Sequence, residues 1–95
     1  MPLPKWTVHP TRDFKRQLEK MQPDIFRAAE LEAAASWVLS RDPHRGIQLP
    51  GSSVWFYGLD DETSSIVANV YYTFNDRSVY LLSITAVPSP SDDPL

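Results

Sequence analysis

This chain of 95 residues contains two histidines, which are its first candidates for acid–base chemistry. Imidazole is the usual proton donor and acceptor near neutral pH, and the sequence holds His9 and His44. His44 stands beside Arg45 in a segment rich in Gly and Pro. It could act there as an acid or base next to a cation. A solvated loop histidine explains the same pattern, so both interpretations stay open.

Tyr71 is a second candidate, because it alternates with Asn69 and Thr73 along an otherwise apolar segment. Period-two alternation places these three side chains on one face of a strand. The phenol could donate a proton or stack on a nucleobase. Alternatively, Tyr71 forms a cross-strand pair with Leu81 or Val79 that only stabilises the sheet.

Basic and aromatic residues supply candidate binding groups. Arg77 is the only Lys or Arg after position 45, whereas the first predicted helix carries a basic face that includes Arg12, Lys15 and Arg16. Three interpretations of Trp55 and Tyr57 stay open: they are core residues, anchors for a partner protein, or a platform for nucleobases.

With no cysteine and two histidines, the sequence predicts neither a metal site nor a cofactor.

The charge distribution restricts the classes of partner. The net charge is −3; residues 1–45 hold eight of the nine basic groups and a net charge of +2, and residues 46–95 have a net charge of −5. Broad binding to duplex nucleic acid usually requires an excess of Lys and Arg, so this balance disfavours it. Because no apolar run approaches the roughly 18 residues of a membrane span and the start does not resemble a signal peptide, we expect a cytoplasmic protein with no membrane contact.

A short strand and two helices are predicted before the candidate loop. Residues 5–9 alternate apolar and polar side chains, which is typical of a half-buried strand. Apolar residues then recur at helical spacing behind Thr11, a suitable N-cap, and predict a helix of about ten residues. A second, alanine-rich helix is predicted from Pro23, at its first position, to Ser40, with Asp24 in its first turn. The two helices should form an antiparallel hairpin.

Three strands are predicted after the loop at 43–53, over residues 54–59, 65–74 and 78–87. Simple alternation places four residues of the last strand on one face: Tyr80, Leu82, Ile84 and Ala86. Both faces of the two longest strands contain apolar residues, which indicates a covered second face and raises the alternative of a homodimer. We therefore predict one α+β domain over residues 1–87, with a helical hairpin on a mostly antiparallel four-stranded sheet, and a disordered tail over 88–95.

The order β-α-α-β-β-β resembles that of the RelE/ParE superfamily of small bacterial toxins from type II toxin–antitoxin systems. Four segments carry the resemblance, which covers about residues 5–87: the loop from Asp42-Pro43 to Pro50-Gly51, the aromatic strand start Val54-Trp55-Phe56-Tyr57, the strand Ala68 to Asp76, and the final strand Val79 to Ile84. The resemblance implies a toxin that acts on translation through mRNA cleavage at the ribosome, or on DNA gyrase. It also implies a small antitoxin that covers the sheet face or the helical hairpin.

The ribonuclease branch of this superfamily uses basic residues on the open face of the sheet. Asn69 stands where that branch has a strand Arg, and Ala68 stands where it has a Tyr. The candidate catalytic residues implied by the resemblance, together with those above, are Tyr71, His44, Arg45, Asn69 and Arg77. Because the cleavage transition state needs positive charge near the phosphate, this set favours the gyrase-directed branch over efficient RNA cleavage. The alternative is a non-catalytic interaction module on the same scaffold.

Overall fold

The computed structural model describes residues 3–61 and 66–88. Its elements, in chain order, are β1 (Thr7–Pro10), α1 (Arg12–Met21), α2 (Ile25–Leu39), a 3₁₀ turn (Pro43–Arg45), β2 (Ile47–Gln48), β3 (Trp55–Asp61), β4 (Ile66–Phe74) and β5 (Ser78–Pro88). The segment between the strands predicted at 54–59 and 65–74 lies partly outside the described residues, and its first two residues, Asp60 and Asp61, belong to β3. The predicted tail also lies outside the described residues, apart from Pro88, which is the last residue of β5.

A single sheet collects all the strands in the order β1-β5-β4-β3-β2. Neighbouring strands are antiparallel except β1 and β5, which run parallel with Thr7 opposite Ser78. The predicted α+β architecture is confirmed, with one correction: the sheet has five strands, and we predicted four. The additional strand, β2, lies in the segment predicted as loop and contributes only the pairs Ile47–Phe56 and Gln48–Trp55. A strand of two residues is too short to leave a periodic pattern in the sequence.

Side-chain caps set where the two helices begin. The hydroxyl of Thr11 accepts from the N–H of Phe14 and begins α1 at the predicted position. Asp24 was predicted to lie inside the first turn of α2, but its carboxylate accepts from the N–H of Phe26 and of Arg27, which makes it the N-cap. The helix therefore begins at Ile25 rather than Pro23.

The core forms where both helices pack on one face of the sheet. Phe14 and Leu18 of α1 are buried there, and α2 adds residues that are mostly small or unbranched at Cβ: Ala28, Leu31, Ala35 and Leu39. The strands contribute a larger set: Ala68, Val70, Tyr72, Val79, Leu81 and Ile84. Alanines on α2 allow the helix to approach the sheet closely, and this contact fixes the helix layer over the central strands.

An irregularity in β5 changes which of its side chains face the core. Tyr72 pairs with Leu81 and Tyr71 pairs with Ser83, so Leu82 is the extra residue of a β-bulge. The buried residues of β5 are consequently Val79, Leu81 and Ile84. The prediction that Tyr80, Leu82, Ile84 and Ala86 share one face is wrong, because the bulge reverses the alternation within the strand.

Candidate functional site

The open face of the sheet, on the side away from the helices, carries Tyr71 and Asn69. Tyr71 lies between Phe56 of β3 and Ser83 of β5, and the ring centroids of Tyr71 and Phe56 are 6.0 Å apart. The predicted pairing of Tyr71 with Leu81 or Val79 is therefore wrong, since both of those residues belong to the core face. Asn69 lies between Gly58 and Thr85 on the same open face.

No strand residue in the described ranges is a Lys or an Arg. The open face instead carries hydroxyl and aromatic groups, among them the stacked rings of His9 and Tyr80, whose centroids are 5.2 Å apart. Its acidic residue is Asp60, opposite Val67. A face of this composition can hold a partner through aromatic contact and hydrogen bonds, but the strands offer no fixed cation to a phosphate.

His44 and Arg45 lie in the 3₁₀ turn, apart from Tyr71. The ring of His44 packs edge-on against Phe74 and Trp55, with centroid distances of 4.9 and 5.6 Å. Both of those rings pack against the core, on the opposite side of the sheet from Tyr71. The five candidate catalytic residues are therefore not brought together as one group.

Arg77 lies in the turn between β4 and β5, at the end of the sheet where β1 begins. Its carbonyl oxygen accepts from the N–H of Thr7 at 2.9 Å, and the indole N–H of Trp6 donates to the carbonyl oxygen of Asn75 at the same distance. We call this end of the sheet, which contains the turn of the β4–β5 hairpin and has the 3₁₀ turn beside it, the hairpin end.

The candidate binding residues fall on two other surfaces. Trp55 and Tyr57 point toward the helices and pack against the core. Arg12, Lys15 and Arg16 are exposed on the outer surface of α1. Arg16 forms an ion pair of 3.7 Å with Asp13, in which both side chains are largely exposed, so its contribution to stability is small.

Tyr72 is a buried residue whose hydroxyl holds a distant turn, a role that the sequence analysis did not identify. Its hydroxyl donates to the carbonyl oxygen of Pro43 at 2.6 Å and accepts from the N–H of Gly46 at 3.2 Å. Burial raises the pKa of Tyr72 to about 12. These bonds hold the 3₁₀ turn against the sheet. Both partners are more than twenty-five positions away in the chain, so no local pattern could have revealed them.

Comparison with known proteins identifies the architecture. No family model and no curated protein matches the chain. Among solved structures, it is similar to a chain in the crystal structure of the toxin–antitoxin complex RelBE2 from Mycobacterium tuberculosis, with a TM-score of 0.68 and 23% sequence identity over 90% of this chain and 93% of that one. The chain has the RelE-like fold. At 23% identity the similarity shows the RelE-like fold alone.

No helix in residues 3–61 and 66–88 is long and apolar enough to cross a membrane. Across the same described part of the RelE-like chain, no three His, Asp or Glu side chains gather closely enough to hold a metal ion.

Proposed function

We propose that this chain is the toxin subunit of a two-protein toxin–antitoxin system and that a small antitoxin neutralises it. The observation that carries the proposal is the match to a chain of the RelBE2 complex over nine-tenths of both chains. Similarity over that span includes the strands, the helical hairpin and the connections between them, which is more than a shared sheet would give.

The toxin acts by binding its target rather than by cutting RNA. The described strands carry no Lys or Arg, and His44 lies on the other side of the sheet from Tyr71. Loss of one charge-stabilising group commonly costs a hundredfold or more in rate, and here the strands supply none. Such a face suits a protein target. Of the two targets that the resemblance implies, DNA gyrase and mRNA at the ribosome, gyrase is the one that is reached by binding without RNA cleavage.

Induced expression of the chain alone in a bacterial host tests this proposal. We expect growth arrest. We also expect a short reading frame that encodes an antitoxin to lie beside the gene and to relieve the arrest when it is co-expressed. Plasmid supercoiling should change, and mapping of RNA 5′ ends should reveal no new cleavage sites. The variant Tyr71→Ala should restore growth, whereas Ile25→Ser, at an exposed side chain in the first turn of α2 on the other side of the sheet, should leave the arrest intact.

Two results would contradict the proposal at different levels. Normal growth in the presence of soluble, folded protein would exclude a toxin. New RNA ends in induced cells would leave the toxin role intact and overturn the binding mode.

A non-catalytic interaction module on the same fold is the second candidate. The uncharged aromatic surface at Tyr71 and Phe56 favours it, because both residues are only partly exposed and already form one patch. This candidate predicts normal growth, no adjacent reading frame that encodes an antitoxin, and a second copy of the chain as the partner that covers this surface.

A further inference from the structure

Helix α2 turns an apolar stripe toward solvent. Phe26 is 76% exposed and Trp37 is 49% exposed. Ala29 and Ala33 lie between them at helical spacing and are also exposed, and the exposed Glu30, four positions after Phe26, borders the line that these four residues form. At about 1.5 Å per residue the line from Phe26 to Trp37 is roughly 16 Å long. Its small central residues let another chain approach the helix backbone.

The stripe ends beside three cations at the hairpin end. The N–H of Lys5 donates to the carbonyl oxygen of Ser40, the C-cap of α2, at 2.9 Å. Arg77 adjoins the same strand start, and Arg45 lies in the 3₁₀ turn that follows the helix. All three side chains are exposed. Within the described residues, no ion pair joins Lys5, Arg45 or Arg77 to a carboxylate.

The hairpin end also holds two acids, Asp42 and Asp76, and a fourth cation, Arg41, so its summed charge remains positive. The carboxylate of Asp42 accepts from the N–H of His44 and caps the 3₁₀ turn. Arg41 stacks over the Trp37 ring at 4.2 Å and donates to the Trp37 carbonyl oxygen at 2.9 Å, so it serves to cap α2. Asp76 is the remaining acid in the turn between β4 and β5.

We propose that the α2 stripe and the hairpin-end cations form one docking surface for an acidic amphipathic segment of a partner protein. Apolar side chains of that segment cover Phe26, the alanines and Trp37, and its carboxylates contact Lys5, Arg45 and Arg77. The choice rests on charge complementarity and on the continuity of the two patches. A nucleic acid would contact the cations through its phosphates but would leave the apolar stripe uncovered. The inference rests on the proposed function only in assigning the segment to the antitoxin.

The test uses the full chain and two fluorescein-labelled amphipathic peptides that share a leucine stripe. One peptide begins with a run of glutamates and the other with a run of lysines, and fluorescence anisotropy gives the Kd. We expect binding of the glutamate peptide only. Phe26→Ser should weaken it about tenfold, as loss of an aromatic anchor does, and Lys5→Gln/Arg77→Gln should weaken it several-fold.

Matched variants control for general effects. Ile47→Ser removes an apolar residue that is also largely exposed but lies on another surface, and Arg12→Gln/Arg16→Gln removes the same charge from α1. Both should bind within twofold of the unchanged chain. Four outcomes would overturn the proposal. The control variants could lose as much affinity as the stripe and cation variants, or the lysine peptide could bind as tightly as the glutamate peptide. Both peptides could fail to bind, or single-stranded RNA of equal charge could displace the glutamate peptide. None of these outcomes bears on growth arrest, so this proposal and the proposed function can fail separately.

Discussion

At the scale of single residues, the tightest constraint is the close approach of Gly46 to the sheet. A Cβ at this position would lie 2.5 Å from the Tyr72 hydroxyl oxygen and closer still to the carbonyl oxygen of Phe56. The same residue donates its N–H to Tyr72. Tyr72 and Gly46 therefore act together to fix the 3₁₀ turn that carries His44 and Arg45.

Gly46→Ala should lower the free energy of unfolding by about 1–3 kcal/mol, because the added methyl group collides with backbone and with a buried hydroxyl. Urea denaturation measures the loss. Gly58→Ala is the control, since a Cβ there meets its nearest neighbours at 3.4 and 3.5 Å, which is ordinary contact. An equal loss in both variants would show that the effect comes from the general cost of replacing a glycine.

The raised pKa of Tyr72 predicts a stability change at high pH. The folded pKa of about 12 lies above the ordinary value of 10.0, so above pH 10 the unfolded state loses its proton first. Stability contributed by the phenol is complete below pH 10 and is lost as the pH rises toward 12. At pH 11 the advantage of the unchanged chain over Tyr72→Phe should have fallen by about 1.4 kcal/mol from its value at pH 9.

Urea denaturation of both proteins at the two pH values measures that difference. A gap that stays constant between pH 9 and pH 11 would show that the Tyr72 phenol does not differ in acidity between the folded and unfolded states.

At the scale of secondary-structure elements, α1 and the bulge of β5 depend on each other. The extra residue Leu82 breaks the ladder, and the side-chain oxygen of Gln17 accepts from the N–H of Ile84 at 3.0 Å. Thr11 donates its hydroxyl to the carbonyl oxygen of Leu81 at 2.7 Å. Two polar side chains of the helix thus satisfy backbone groups of the irregular strand.

Gln17→Ala should cost about 1–3 kcal/mol of unfolding free energy, because the partly buried N–H of Ile84 loses its acceptor. Glu19→Ala, at an exposed position of the same helix, is the control and should change stability by less than about 0.5 kcal/mol. Thermal unfolding of the two variants compares them directly. Equal melting temperatures would mean that water replaces the Gln17 oxygen without loss.

Local patterns predicted the long elements, and distant contacts decided the rest. Helix α1 follows from Thr11 and the spacing of Phe14 and Leu18, and the order of the elements follows from periodicity. The bulge at Leu82 could not be predicted, because its backbone groups are satisfied by a helix some 67 positions away. The candidate residues were identified by type, but whether His44 and Tyr71 share a face depends on pairing that only the folded sheet determines.

At the scale of the whole molecule, the fold converts a charge difference along the chain into one between the two ends of the sheet. Lys5, Arg45 and Arg77 all lie at the hairpin end, although two of them come from the basic half of the sequence and one from the acidic half. At the other end, β3 finishes in Asp60 and Asp61. Summing charge by sequence position conceals this grouping.

The covered second face predicted from the sequence leads to a whole-molecule test. If a second copy covers the open face, light scattering at high micromolar concentration should give the mass of a dimer, and Phe56→Lys should halve it by placing a charge in the patch. Phe26→Lys, on α2, is the matched control and should remain dimeric. A monomeric mass for the unchanged chain would exclude the homodimer.

The parallel pairing of β1 with β5 has a consequence for synthesis. The first strand of the chain finds its place only beside the last, so the sheet cannot be completed on the ribosome before β5 has been translated. A nascent chain that already contains the first four strands therefore still lacks the complete sheet. Any function that needs the complete sheet must wait until β5 has been translated.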